Sequence, residues 1–167
     1  MNNIYLCGFM GCGKTTIAKK LATLLNQNFV DTDELIIKNC NNMSITEIFS
    51  CFSEGYFRSL ETQVLTRLAL TKNTVVSLGG GTLDDPENYN IIKNTGTIVY
   101  LNLSFSSCYD RIKNDTNRPL VTRYSKKELE TLFNKRDENF KNFCSLNYNA
   151  DKSVLLCARD LAQLINN

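Results

Sequence analysis

Residues 8–15 read Gly8-Phe9-Met10-Gly11-Cys12-Gly13-Lys14-Thr15, a complete G-x-x-x-x-G-K-[ST] phosphate-binding loop. No other stretch restricts the fold as tightly, because this loop works only between a buried strand and a helix. The glycines let the backbone turn so that successive N–H groups face phosphate oxygens. Lys14 can reach β- and γ-phosphates, and the Thr15 hydroxyl can take a place on Mg²⁺. The flanks fit that context. Ile4-Tyr5-Leu6-Cys7 is a short apolar run of the kind a buried parallel strand needs. Ile17, Leu21, Leu24 and Leu25 then recur at helical spacing, which puts phosphate at a helix N-terminus.

A chain of 167 residues with 43% hydrophobic and 22% charged residues reads as one globular domain, 1–167. The net charge of +2 is too small to argue for nucleic acid or membrane as the main partner. No stretch approaches the length of a membrane-spanning helix. The first twelve residues lack a basic segment, and their apolar run breaks at Gly8, so they read as a first strand and not a signal peptide. Seven cysteines include no C-x-x-C pair, and there is no histidine, which excludes a Cys/His zinc site. Reduced cysteines in a cytoplasmic protein are expected. Without histidine, proton abstraction must use a carboxylate or the transferred phosphate itself, which phosphoryl transfer tolerates.

Patterning predicts strands over 3–7, 28–31, 74–78, 97–101 and 146–150. Helices are expected over 15–26, 33–39, from a Ser44–Glu47 capping box to about 52, over 54–70, from Pro86, and over 105–113, 126–142 and 154–165. The polar segment 114–125 reads as a mobile surface loop. Strands alternating with helices imply a parallel sheet covered on both faces, with ligands at the carboxyl ends of its strands. The phosphate loop, Asp31, Asp33 and Gly79-Gly80-Gly81 all fall at such ends, so they are expected to converge.

Asp31-Thr32-Asp33 offers one carboxylate for Mg²⁺, directly or through water, and a second for a substrate hydroxyl. Asp33 can equally serve as the N-cap of the following helix. Three consecutive glycines exceed what a turn requires and suggest backbone exposed to a ligand. Arg58, Arg118 and Arg136 are candidate clamps for carboxylate and phosphate, with Arg111 and Arg123 lesser ones. Lys126 and Lys127 read as a solvated helix start.

Taken together, these residues resemble shikimate kinase. The resemblance runs in order through the phosphate loop, Asp31-Thr32-Asp33, Phe57-Arg58-Ser59-Leu60-Glu61, Gly79-Gly80-Gly81, Arg118-Pro119-Leu120 and Arg136. It implies a three-layer α/β/α, nucleoside-monophosphate-kinase-like P-loop fold with a five-stranded parallel sheet and a mobile lid at about 114–125. The implied reaction is transfer of the ATP γ-phosphate to the 3-hydroxyl of shikimate, in the route to chorismate and aromatic amino acids. Gly11, Cys12, Gly13, Lys14, Thr15 and Thr16 would bind ATP, Thr15 would ligate Mg²⁺, and Asp31 would assist through water. Asp33 would take substrate hydroxyls, Arg58 and Arg136 the shikimate carboxylate, and Gly80 a backbone contact. A substrate-binding segment would span about 32–60. Arg118 would reach the phosphates from the lid and act with Lys14 and Asp33 in catalysis. Arg111 and the region of Asp151 and Lys152 would flank adenine. The implied working form is a monomer. Phe140 departs from the tyrosine usual in the family, and Cys12 from alanine or serine. A gluconate-type kinase and a non-catalytic nucleotide-binding module are the rival readings, and neither needs Arg58, Gly80 and Arg136 together.

Overall fold

The computed structural model describes residues 2–116 and 118–166. Five strands form one all-parallel sheet: β1 (Asn3–Cys7), β2 (Asn28–Asp31), β3 (Thr74–Ser77), β4 (Gly96–Asn102) and β5 (Leu146–Asn149). Their spatial order is β2-β3-β1-β4-β5. The chain runs from β1 out to the edge strand β2 and returns through β3, then crosses to β4 on the other side of β1, and this reversal opens a crevice at the strands' carboxyl ends. Register places functional residues there. Leu6 lies beside Ser77, and Ser77 beside Asp31.

Alternation along the strands builds the layers. Ile4, Leu6, Val75, Val99 and Leu101 face one core, and Tyr5, Cys7, Val76, Ile98 and Tyr100 face the other. The first core is closed by α1 (Lys14–Leu25), α6 (Phe105–Ile112) and α9 (Val154–Asn166) through Ile17, Leu21, Cys108 and Leu161. The second is closed by α2 (Thr32–Asn39), α3 (Ile45–Cys51), α4 (Glu54–Leu68), α5 (Pro86–Ile92) and α8 (Lys126–Phe143), using Ile36, Ile48, Leu65, Ile92 and Phe140. This is the expected three-layer nucleoside-monophosphate-kinase-like arrangement. The cysteines are free thiols; Cys7 and Cys144 bring their sulfurs to 3.1 Å. Among the described residues, no helix is long and apolar enough to cross a membrane.

Helix starts follow their caps. The Ser44 hydroxyl accepts from Glu47 N–H while Glu47 reaches back to Ser44 N–H, and Ser125 and Glu128 repeat the device before α8. The segment expected as a loop over 114–125 contains a short helix, α7 (Pro119–Arg123). Proline there does not break structure. It occupies the first helical position, where its fixed φ suits a helix and no amide donor is needed. Asn117, within that segment, lies outside the described residues.

Candidate active site

The loop between β1 and α1 takes its shape from glycines at positive φ. Gly11 has φ 82° and Gly13, the N-cap of α1, has φ 96°. A Cβ on Gly11 would also meet the Cys108 carbonyl oxygen at 2.7 Å. Lys14 is buried, with Nζ donating to the carbonyls of Gly8 (2.7 Å) and Phe9 (3.0 Å). Both contacts hold the lysine against its own loop. Cys12 donates its N–H to Phe9 O at 3.2 Å, and its side chain is buried. Arg111 donates to Gly11 O at 3.0 Å, bracing the loop from α6.

Behind the loop, Thr15 Oγ1 donates to Asp31 Oδ2 at 2.7 Å and lies 3.4 Å from Ser77 Oγ. Asp31 Oδ1 meanwhile accepts from the N–H groups of Asp33 and Glu34. Asp31, not Asp33, is therefore the N-cap of α2, and Asp33 is released from the capping role the sequence allowed it. Asp33 points its Oδ1 into a buried position with no hydrogen-bond partner. Burial pushes its carboxyl up from 3.8 to about 7; the charges of Asp31 and Glu61 push the same way, while Lys14 and Arg118 oppose them.

Across the crevice, Arg58 on α4 donates to Glu61 at 2.6 Å and to Glu54 at 3.1 Å. Burial works against its charge, but the two glutamates outweigh that and hold the guanidinium above its usual range. Arg136 on α8 is 3% exposed. Asp84, in the 3-10 turn Thr82–Asp84, accepts from its Nε at 3.0 Å and its Nη2 at 2.7 Å, while Nη1 is buried without a partner.

The three glycines differ in what surrounds them. A Cβ on Gly79 would lie 2.7 Å from Asp33 Oδ1, and one on Gly81 would lie 2.6 Å from Arg136 Nη2. At Gly80 the nearest atom would be Met10 N at 3.7 Å. Gly79 and Gly81 are thus glycine because side chains pack beneath them. At Gly80 every neighbour, Arg136 Nη1 at 3.8 Å included, stays at ordinary contact distance, and its backbone lines the cavity.

One cavity of about 500 Å³ joins these parts. Gly11, Gly13, Lys14, Thr15, Thr16 and Asp31 line one end. Asp33, Arg58, Gly80 and Arg136 line the other, and Arg118 sits at the rim, half-exposed and paired with Asp115 at 2.8 Å. Cys12, Arg111, Asp151 and Lys152 are not among the lining residues. Lys152 pairs instead with Asp160 at 2.7 Å. Ile45, Phe49, Phe57 and Leu120 supply an apolar wall between α3, α4 and α7. Two anion-seeking guanidiniums, a protonatable carboxylate and a phosphate loop therefore share one open cavity.

A family model described as shikimate kinase matches residues 10–166. The chain belongs to the shikimate kinase family. A shikimate kinase of Sulfurihydrogenibium sp. is 41% identical over 154 residues, spanning 92% of this chain and 91% of that protein. A solved shikimate kinase from Acinetobacter baumannii, in complex with shikimate, matches with a TM-score of 0.89 at 34% identity, covering 99% of this chain and 91% of that one. A gluconokinase from Sinorhizobium meliloti matches with a TM-score of 0.58 at 17% identity, a likeness of fold alone. As a member of the shikimate kinase family, the chain is a phosphotransferase.

Two carboxylates of this site escape a reading of the sequence for ligand contacts. Glu61 is 1% exposed and accepts from both Arg58 and the Thr82 hydroxyl. Its place three residues after Arg58 on one helix face was the available signal. Asp84 stands 52 residues from Arg136 in the chain, and no local pattern announces their pairing. Phe140 packs on Tyr100, ring centroids 5.1 Å apart, so polar support for Arg136 comes from Asp84 and not from position 140.

Proposed function

We propose that this chain transfers the γ-phosphoryl group of ATP to the 3-hydroxyl of shikimate, giving shikimate 3-phosphate and ADP. The observation that carries the reading is the pair of unpartnered buried atoms, Asp33 Oδ1 and Arg136 Nη1, in the cavity that also holds Lys14. Buried polar atoms without partners are rare in native proteins and mark places a ligand completes. An alcohol bearing a carboxylate supplies what each atom lacks.

In this reading, loop amides and the start of α1 cradle the phosphates. Lys14 exchanges the Gly8 and Phe9 carbonyls for phosphate oxygens and stabilises charge on the transferring group. Arg58 and Arg136 fix the acid end of the substrate, while Gly80 leaves room for it along the backbone. Asp33 accepts the hydrogen bond of the attacking hydroxyl, and its raised proton affinity suits it to take that proton near neutral pH. Arg118 closes over the phosphates with the 114–125 lid and excludes water. The oxygens of Thr15, Asp31 and Ser77 form a hard-donor set that fits Mg²⁺; Thr15 would hold the ion, and Asp31 would assist through water. When bound, Mg²⁺ neutralises phosphate charge. The chain acts as one monomeric domain in the cytoplasm, with residues 32–60 serving the substrate.

A coupled assay of ADP release across shikimate, quinate and gluconate tests the assignment. Mg²⁺-dependent turnover with shikimate, and at least ~100-fold lower kcat/KM with gluconate, is expected. Turnover of gluconate in preference to shikimate would overturn it.

A further inference from the structure

The Thr82–Asp84 turn ties the two arginines of the acid-binding end to one rigid frame. At its start, the Thr82 hydroxyl donates to Glu61, the residue that holds Arg58. Asn88 Nδ2 pins the Thr82 carbonyl at 2.8 Å, and Asp84 N–H donates to Gly81 O at 3.0 Å. At its end, Asp84 accepts from Arg136 Nε with both carboxylate oxygens, at 3.2 and 3.0 Å, and from Nη2 at 2.7 Å. That fork occupies one edge of the planar guanidinium and fixes its rotation. The edge left over is Nη1, buried and unpartnered. It lies 3.8 Å from where a Gly80 Cβ would stand. The same turn brings the two cations together: a Gly81 Cβ would lie 2.6 Å from Arg136 Nη2 and 3.0 Å from Arg58 Nη1. Two like charges converge there because Glu61 and Asp84 each neutralise one of them.

We infer that Asp84 is a positioning residue for substrate recognition, holding Arg136 so that Nη1 meets the carboxylate of the acceptor. It touches neither phosphate nor the reacting hydroxyl. Its loss therefore weakens acid binding and leaves the phosphoryl-transfer step in place. The inference rests on the function proposed above and refines it.

Steady-state kinetics of Asp84→Ala, Asp84→Asn and Asp84→Glu, each with shikimate and with ATP as the varied substrate, test it. Asp84→Ala should raise KM for shikimate at least ~10-fold, with kcat within ~3-fold and KM for ATP within ~2-fold of the unaltered chain. Asp84→Asn, which preserves shape and one acceptor, should fall between, and Asp84→Glu should restore part of the loss. With the carboxamide analogue of shikimate, the Asp84→Ala penalty should shrink, because no carboxylate remains for Arg136 to read. A parallel rise of both KM values would show a merely structural role and overturn the inference. A fall in shikimate KM in Asp84→Asn would also overturn it, by showing that Asp84 competes with substrate for Arg136. An unaltered chain that turns over no shikimate defeats the function itself. Normal turnover with unchanged KM in all three variants defeats Asp84 alone.

Discussion

Asp33 carries the sharpest consequences of its surroundings. Its Oδ1 is buried without a partner, and its carboxyl titrates at about 7. The folded chain therefore binds this proton more tightly than the unfolded chain, whose aspartate titrates near 3.8. The associated stability is complete below about pH 4 and is lost as pH rises through about 7. Each tenfold change in proton affinity is worth ~1.4 kcal/mol, which bounds the loss at about 4 kcal/mol. Solvent at the open cavity reduces it, so Asp33→Asn should stabilise the ligand-free chain at pH 8 by ~1–2 kcal/mol in denaturant melts. The gain should shrink toward zero as pH falls to 4. The same substitution should abolish shikimate turnover while leaving ATP binding near normal, and in the unaltered chain kcat/KM should rise between pH 6 and 8 as Asp33 loses its proton. A stability loss at pH 8 would show that Asp33 is a structural residue. Lys14 is the second test at this scale. Lys14→Ala should lower kcat by roughly 10²–10³-fold in a single-turnover assay, because it removes charge stabilisation from the transferring group.

The element that shapes the acceptor end is the glycine turn after β3. Gly79 and Gly80 are adjacent, yet their tolerance of a methyl group should differ. Gly79→Ala drives a Cβ to 2.9 Å from both Glu61 Oε1 and Thr82 Oγ1, besides its contact with Asp33, and should cost ~1–3 kcal/mol of stability in thermal melts together with activity. Gly80→Ala has room within the protein, so it should melt like the unaltered chain and raise KM for shikimate. The second element is α7. Arg123 stacks over Phe49 of α3 at 5.9 Å, and Leu120 joins Phe49 in the cavity wall. Arg118 is the N-cap of this helix, so the arginine proposed for the phosphates and Leu120 of the apolar wall are carried by one element. Arg118→Ala should lower kcat more than KM for shikimate, read from initial rates; an unchanged kcat would exclude it from the transfer step. Elements built on local signals were legible in the sequence: the Ser44–Glu47 capping box, the apolar and β-branched strand runs and the loop glycines. Helix α7 was not, because Arg118-Pro119 carries the same residues whether proline ends a segment or opens a helix.

At the scale of the molecule, parallel topology does the assembling. Order β2-β3-β1-β4-β5 sets the ends of β1, β2 and β3 side by side, so residues far apart in sequence share one crevice. That is why strand-end residues such as Asp31, Asp33 and Gly80 were legible as a group before their contacts were known. Contacts made by chain crossings were not. The exchange of the capping role from Asp33 to Asp31 depends on a two-residue phase within the β2–α2 junction. The pairing of Arg136 with Asp84 depends on α8 packing against the 3-10 turn, which no spacing encodes. The same convergence means that ATP and shikimate bind the folded chain alone, so saturating both should raise its melting temperature by more than either ligand does. The most direct measurement is a crystal structure of the chain with Mg²⁺, a non-hydrolysable ATP analogue and shikimate. It should show the shikimate carboxylate between Arg58 and Arg136 Nη1, the 3-hydroxyl within hydrogen-bond reach of Asp33, and the γ-phosphate on Lys14. Shikimate bound with its carboxylate away from both arginines, or its 3-hydroxyl away from Asp33, would contradict the account.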